Sequence, residues 1–170
     1  MNLMYTPATL PHHGEDEAVT VLLDDRPRRA MQALALSSML FETAGFLVGP
    51  RPYKLPDGRY LVHATDSIPA EHTICKEGSV TFTQDTWRAA NDAIAERYPD
   101  GSVVMLSWLH THPGYGVFLS GLDVSIHRNF FTQIWHTATV LEPHRRTGGI
   151  FGWRKNFAGI IRLRFVWHWR

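Results

Sequence analysis

The residues from His110 to Asp123 restrict the fold more than any other part of this chain. They read His110-Thr111-His112-Pro113, then six residues, then Ser120, then two residues and Asp123. Residues 103–110 form a strongly apolar strand. Side chains two apart on a strand share a face, so both imidazoles can point at one place. Pro113 cannot donate to a ladder and ends the strand. Gly114 and Gly116 let the backbone turn sharply, and residues 114–119 read as a loop. Ser120-x-x-Asp123 is the start signature of a helix, expected over residues 121–135. A fold that accepts these residues must hold a strand end and a helix start side by side. Two histidines and a carboxylate are a ligand set that a catalytic zinc takes when one position stays open for water. Each part alone has a plainer reading: His-x-His as a polar strand edge, Ser120-x-x-Asp123 as a helix cap.

The remainder supplies the elements around this segment. Residues 18–23 are β-rich. Residues 28–41 are rich in Ala, Leu and Met and apolar on most sides, which predicts a central, buried helix with Pro27 in its first turn. Residues 44–48, bounded by Gly49-Pro50, read as a buried strand. Residues 59–64 read as its hairpin partner across Pro56-Asp57-Gly58. Residues 65–82 end in a short strand. Trp87, Ala90, Ile94 and Tyr98 share one face of an amphipathic helix over residues 84–98, started by Thr83 and stopped near Pro99. Residues 137–141 are a further strand. At the end of the chain Ile161, Leu163, Phe165, Trp167 and Trp169 alternate with Arg162, Arg164, Val166 and His168, the pattern of a strand. Residues 1–17, with two prolines and Glu15-Asp16-Glu17, read as a flexible N-terminal arm. Residues 18–170 read as one α/β domain; a chain of 170 residues has room for one such core.

Composition removes several classes. The net charge of +1 gives no case for nucleic acid or a membrane surface. No run approaches the ~20 apolar residues of a membrane span, and no signal peptide is visible, so a cytoplasmic protein is expected. The lone Cys75 suits a reducing compartment and excludes a zinc site built from several thiolates, including that of nucleobase deaminases. It is expected as a small core residue. Glu42 lies between two apolar segments, where a carboxylate is costly unless partnered; alone it reads as an exposed helix end. His127, four residues after Asp123, is expected at the surface. Arg145-Arg146-Thr147-Gly148-Gly149 is expected to be a hairpin turn, and the basic residues near the C-terminus a solvated face.

Taken together, Glu42-Thr-Ala-Gly45-Phe-Leu-Val-Gly49 and Ser107-Trp-Leu-His110-Thr-His112-Pro113, six residues, Ser120-Gly-Leu-Asp123 resemble the JAMM motif of the MPN metallopeptidase family. The resemblance runs from about Ala18 to Pro143. It implies a single MPN domain, a curved mixed sheet flanked by helices with cytidine-deaminase-like architecture. It implies that His110, His112 and Asp123 ligate one zinc ion, with water in the fourth position. It makes Glu42 the general base and then the acid to the leaving amine, and Ser120 a donor to the oxyanion. The family cleaves after the C-terminal glycine of ubiquitin or ubiquitin-like proteins. The short chain is similar to stand-alone bacterial members, which implies a ubiquitin-like partner and E1-like and E2-like proteins of the same pathway. Two alternatives stay open: a hydrolase of this type acting on a non-ubiquitin amide or sulfur-carrier adduct, and a non-catalytic MPN scaffold.

Overall fold

A computed structural model of the chain describes residues 16–76 and 78–170. Its centre is a six-stranded mixed sheet. The elements run β1 Val19–Leu23, α1 Asp25–Leu36, β2 Ala44–Gly49, β3 Tyr53–Lys54, β4 Tyr60–Ala64, β5 Asp66–Pro69, β6 Ile74–Lys76, β7 Ser79–Thr81 and α2 Gln84–Arg97, followed by β8 Val104–Thr111, α3 Gly121–Phe130, β9 Thr137–Glu142, β10 Thr147–Trp153 and β11 Ile160–Arg162. The main sheet has the order β11-β10-β9-β8-β2-β5, beside a three-stranded sheet β1-β4-β3 and a two-stranded ribbon β6-β7.

Alternation along the central strands sends side chains to two cores. Leu47, Leu109, Leu141 and Ile150 face Met31 and Ala35 of α1 and Val19, Val21 and Val62 of the small sheet. Phe46, Trp108, Ala138 and Phe151 face Ala90 and Trp87 of α2, together with Ile126 and Phe131 at α3. This is the α/β sandwich that the mixture of elements implies. Gly49 permits its tightest approach, since a Cβ there would run into the His63 carbonyl oxygen.

Several expectations are corrected. The first helix begins at Asp25 and stops at Leu36, short of Phe41. Ser37 Oγ bonds the Leu34 carbonyl at 2.6 Å and Thr43 Oγ1 reaches the same oxygen at 3.3 Å, so side chains take over the helix end. Residues 59–64 do not pair with residues 44–48. The Pro56-Asp57-Gly58 turn closes β3 on β4, and β4 runs parallel to β1. Every residue of β2 is buried, and it is covered on both sides, by β5 and β8. α3 ends at Phe130 rather than Trp135, where the Phe131 N–H bonds the His127 carbonyl. The hairpin turn falls on residues 143–146, and Thr147 to Gly149 already belong to β10. Gly148 and Gly149 of this strand lie beneath the side chains of Trp167 and Arg162.

At the end of the chain only Ile160–Arg162 is strand, yet Leu163 and Trp167 are buried and the two-residue rhythm persists to Arg170. The segment bonds side chains instead of a ladder. Trp167 Nε1 donates to Gln32, Arg28 donates to the His168 carbonyl, and the Arg164 N–H donates to Glu17. The arm expected over 1–17 lies outside the described residues apart from Asp16 and Glu17; Glu17 is buried and bridges to Arg154. Among the described residues no helix is long and apolar enough to cross a membrane.

Candidate metal centre

The site forms where β8 leaves the sheet. Ala44 lies opposite His110 in the β2–β8 ladder, and the pairing continues outward. The Thr111 N–H bonds the Thr43 carbonyl at 3.0 Å, and Thr111 Oγ1 accepts from the Thr43 N–H at 2.8 Å. One step further, Glu42 falls opposite His112, with Oε1 3.8 Å from His112 Nε2. On its other side His112 donates its N–H to the Leu141 carbonyl of β9. The strand end is thus clamped between two neighbours.

The loop then folds back. Gly114 and Gly116 both take positive φ, the conformation glycine adopts without strain. The Gly116 carbonyl lies 3.1 Å from His112 Nδ1. A carbonyl only accepts, so Nδ1 carries the proton and the Nε2 lone pair faces the site. α3 starts with a full capping box: Ser120 Oγ accepts from the Asp123 N–H at 3.1 Å, and Asp123 Oδ2 accepts from the Ser120 N–H at 2.8 Å. The cap and the ligand are therefore one group, because the same Oδ2 lies 3.2 Å from His110 Nε2 and 3.5 Å from His112 Nε2.

The donor set fits a metal. The two imidazole Nε2 atoms are 3.0 Å apart. Around a tetrahedral zinc, ligands at ordinary bond lengths stand about 3.3–3.4 Å from one another, and the three edges here bracket that value. All three side chains are buried. Two lone pairs converging at this distance need either a shared proton or a cation between them. His110 Nδ1 is buried and has no hydrogen-bond partner among the described residues.

Electrostatics separates the three acidic and basic roles. Burial would raise Asp123, but the His110 and His112 rings beside it and the Ser120 N–H outweigh it and hold the carboxyl far below the usual range. Burial lowers His110, against the pull of Asp123, so it stays neutral. Burial pushes Glu42 up to about 7, opposed by His112 and reinforced by Asp123. A carboxyl that binds its proton this tightly is suited to exchanging it near neutral pH.

The structure therefore brings together all five residues singled out in the sequence: Glu42, His110, His112, Ser120 and Asp123. It corrects the readings made of them one at a time. Glu42 is 5% exposed, not an exposed helix end. His127 is wholly buried, not a surface residue. Its Nδ1 accepts from Trp108 Nε1 at 3.0 Å, and Trp108 stacks on His110 at 4.7 Å and 7°. Burial holds His127 down at about 4, so it stays neutral as the acceptor Trp108 needs. The signals that mark it are its place one turn after Asp123 and a tryptophan sharing the His110 face. Cys75 is exposed on the β6-β7 ribbon rather than in the core. Glu142, a buried carboxylate beside the loop, has no motif to announce it.

No family model matches the chain. Among curated relatives, it is 28% identical over 129 residues to COP9 signalosome complex subunit 5 of Eremothecium gossypii, covering 69% of this chain and 28% of that protein. It is 29% identical over 109 residues to the NAD(+) hydrolase TcpA of a Theionarchaea archaeon, covering 64% of this chain and 29% of that protein. The chain thus spans less than a third of either relative. Protein DSY2949 from Desulfitobacterium hafniense has a similar fold, with a TM-score of 0.60 at 19% identity over 84% of this chain and 88% of that one.

Proposed function

We propose that the chain is a zinc-dependent hydrolase of the JAMM/MPN family that cleaves the peptide or isopeptide bond after the C-terminal glycine of a ubiquitin-like protein. The observation that carries this reading is the placement of Glu42, from the connection leading into β2, against the buried His110-His112-Asp123 cluster, 3.8 Å from His112. The similarity to COP9 signalosome complex subunit 5 supports the family. The name of the second relative supports hydrolysis more generally. E1-like and E2-like proteins of a cytoplasmic conjugation pathway are the partners this reading implies.

Zinc held by His110, His112 and Asp123 would polarise the scissile carbonyl and lower the pKa of a bound water to about 7. Glu42 takes the proton of the attacking water on its carboxylate and delivers it to the leaving nitrogen. The Ser120 hydroxyl donates to the carbonyl oxygen as charge builds there, a contribution of about 3 kcal/mol for one such donor. Tyr115 and Phe118, both exposed, stand beside His112 with ring centroids at 6.2 and 4.8 Å and would flank an extended tail.

The test is a panel of ubiquitin-like proteins bearing C-terminal extensions or lysine conjugates, with NAD(+) as a separate substrate. Cleavage after the terminal glycine, abolished by a chelator and by Glu42→Gln, is expected. His112→Ala should bind no zinc. Hydrolysis of NAD(+) alone, or cleavage unaffected by Glu42→Gln, would overturn the reading.

A further inference from the structure

Glu142 ends β9, on the side of β8 away from Glu42. Its side chain is fully buried, and no part of the chemistry above uses it. Its Oε1 accepts from the Gly114 N–H at 2.9 Å and from the His144 N–H at 2.8 Å. Its Oε2 accepts from the Arg145 N–H at 3.2 Å. Two of these bonds are local and cap the turn that follows β9. The third crosses 28 positions of sequence to the loop that follows His112.

That third bond falls at a sensitive place. Gly114 sits inside a tight turn closed at its ends by His112. The Tyr115 N–H bonds the His112 carbonyl at 3.2 Å, and His112 Nδ1 bonds the Gly116 carbonyl. The second of these fixes which ring nitrogen of His112 faces Asp123 and His110. Among the described residues no other hydrogen bond joins residues 113–119 to a strand beyond β8. A turn without this tether can shift as a body and carry the Gly116 carbonyl with it. Losing a group that orients a metal-binding histidine typically costs about 10- to 100-fold in metal affinity or activity.

We infer that Glu142 is a positioning residue for the metal centre: through Gly114 it fixes the turn whose Gly116 carbonyl orients the His112 ring. The inference rests on the metal-binding part of the proposed function. It assigns the effect to the reach of the side chain, not to its charge.

Two conservative variants separate these. Glu142→Gln keeps the length and an acceptor oxygen for Gly114 but loses the charge. Glu142→Asp keeps the charge and can still cap the turn at His144 and Arg145, but is one methylene too short for Gly114. Zinc affinity, measured by competition with a chromophoric chelator on protein shown to be folded, is expected to stay near wild type in Glu142→Gln. It is expected to fall by about 10- to 100-fold in Glu142→Asp. The Nδ1–H resonance of His112 in the metal-free protein should persist in Glu142→Gln and exchange rapidly in Glu142→Asp. Equal zinc affinity in all three proteins, or weaker binding in Glu142→Gln than in Glu142→Asp, overturns the inference and leaves the proposed function standing. Wild-type protein that binds no zinc overturns both.

Discussion

Glu42 and Glu142 flank β8 from opposite sides, one just before β2 and one at the end of β9, and both are buried. Their proton affinities nevertheless diverge. Among the described residues no hydrogen-bond donor reaches the Glu42 carboxylate, and burial pushes it up to about 7. At Glu142 burial acts in the same direction, but the N–H groups of Gly114, His144 and Arg145 outweigh it and hold the carboxyl below its ordinary value. The comparison teaches that burial by itself does not make a base. A buried carboxylate left without donors exchanges its proton near neutrality, and one saturated with backbone donors becomes a fixed anchor.

The largest expected effect breaks the Glu42 side of this comparison. Glu42→Gln removes the proton acceptor while keeping the shape and the ligands. Turnover of a cleavable ubiquitin-like substrate should fall by about 10²- to 10⁴-fold, with zinc content unchanged. Single-turnover kinetics beside metal analysis would check this. A variant that loses zinc as well would make Glu42 part of the metal cradle rather than the base.

The two glutamates also differ in how far the sequence announces them. Glu42 is legible because it fits a motif; the pairing of residues 44–48 beside β8, which brings it to the site, is seen only in the structure. His110, His112, Ser120 and Asp123 are legible for a local reason, since a strand end, a turn and a helix start follow each other within one short segment. Glu142 is not legible. Its partner Gly114 is distant in sequence, and the contact exists only because β9 lies parallel to β8 with Leu141 beside Thr111. His127 was hidden the same way. Helical spacing puts it on the Asp123 face, but only the packed position of Trp108 shows that this face is interior. The strand partners of residues 44–48 are not legible in the sequence, because a good turn sequence says that two strands are joined, not which two. The rhythm of residues 161–169 told which side chains are buried, but not that the ladder stops at Arg162.

A second measurement sets the two carboxylates against each other directly, by following the stability of metal-free protein with pH. For Glu42 the folded-state pKa is raised to about 7, so the folded state binds the extra proton. Its burial is tolerated below the unfolded pKa, and stability is lost as pH rises from about 4.5 to about 7. Relative to wild type, Glu42→Gln should abolish that loss, on the order of 3 kcal/mol for a shift of this size. For Glu142 the folded-state pKa is lowered. Its contribution is present above the unfolded pKa and is lost as pH falls through the folded one, so Glu142→Gln should flatten the acid side. Urea titrations of the three proteins should give difference curves of opposite slope in adjoining windows: the Glu42 contribution falls as pH rises from about 4.5 to about 7, and the Glu142 contribution rises with pH below about 4.5. Parallel curves would mean that hydrogen bonding does not separate the two sites.

Asp123 combines a backbone donor, as at Glu142, with imidazoles, one of which Glu42 also faces, and Ser120→Ala tests which of them holds it. Its carboxylate shares one backbone donor, the Ser120 N–H, with two imidazoles, so it is partly anchor and partly ligand. Replacing the serine deletes the acceptor for the Asp123 N–H but leaves the Ser120 N–H that holds the carboxylate. The helix should lose about 1 kcal/mol of capping stability, visible as a lower midpoint in urea with an unchanged slope. Zinc affinity should stay near that of the wild type, because the group that orients Asp123 is main chain and survives the substitution. If zinc affinity drops together with stability, the hydroxyl rather than the backbone holds the ligand, and Asp123 is anchored less like Glu142 than its hydrogen bonds indicate.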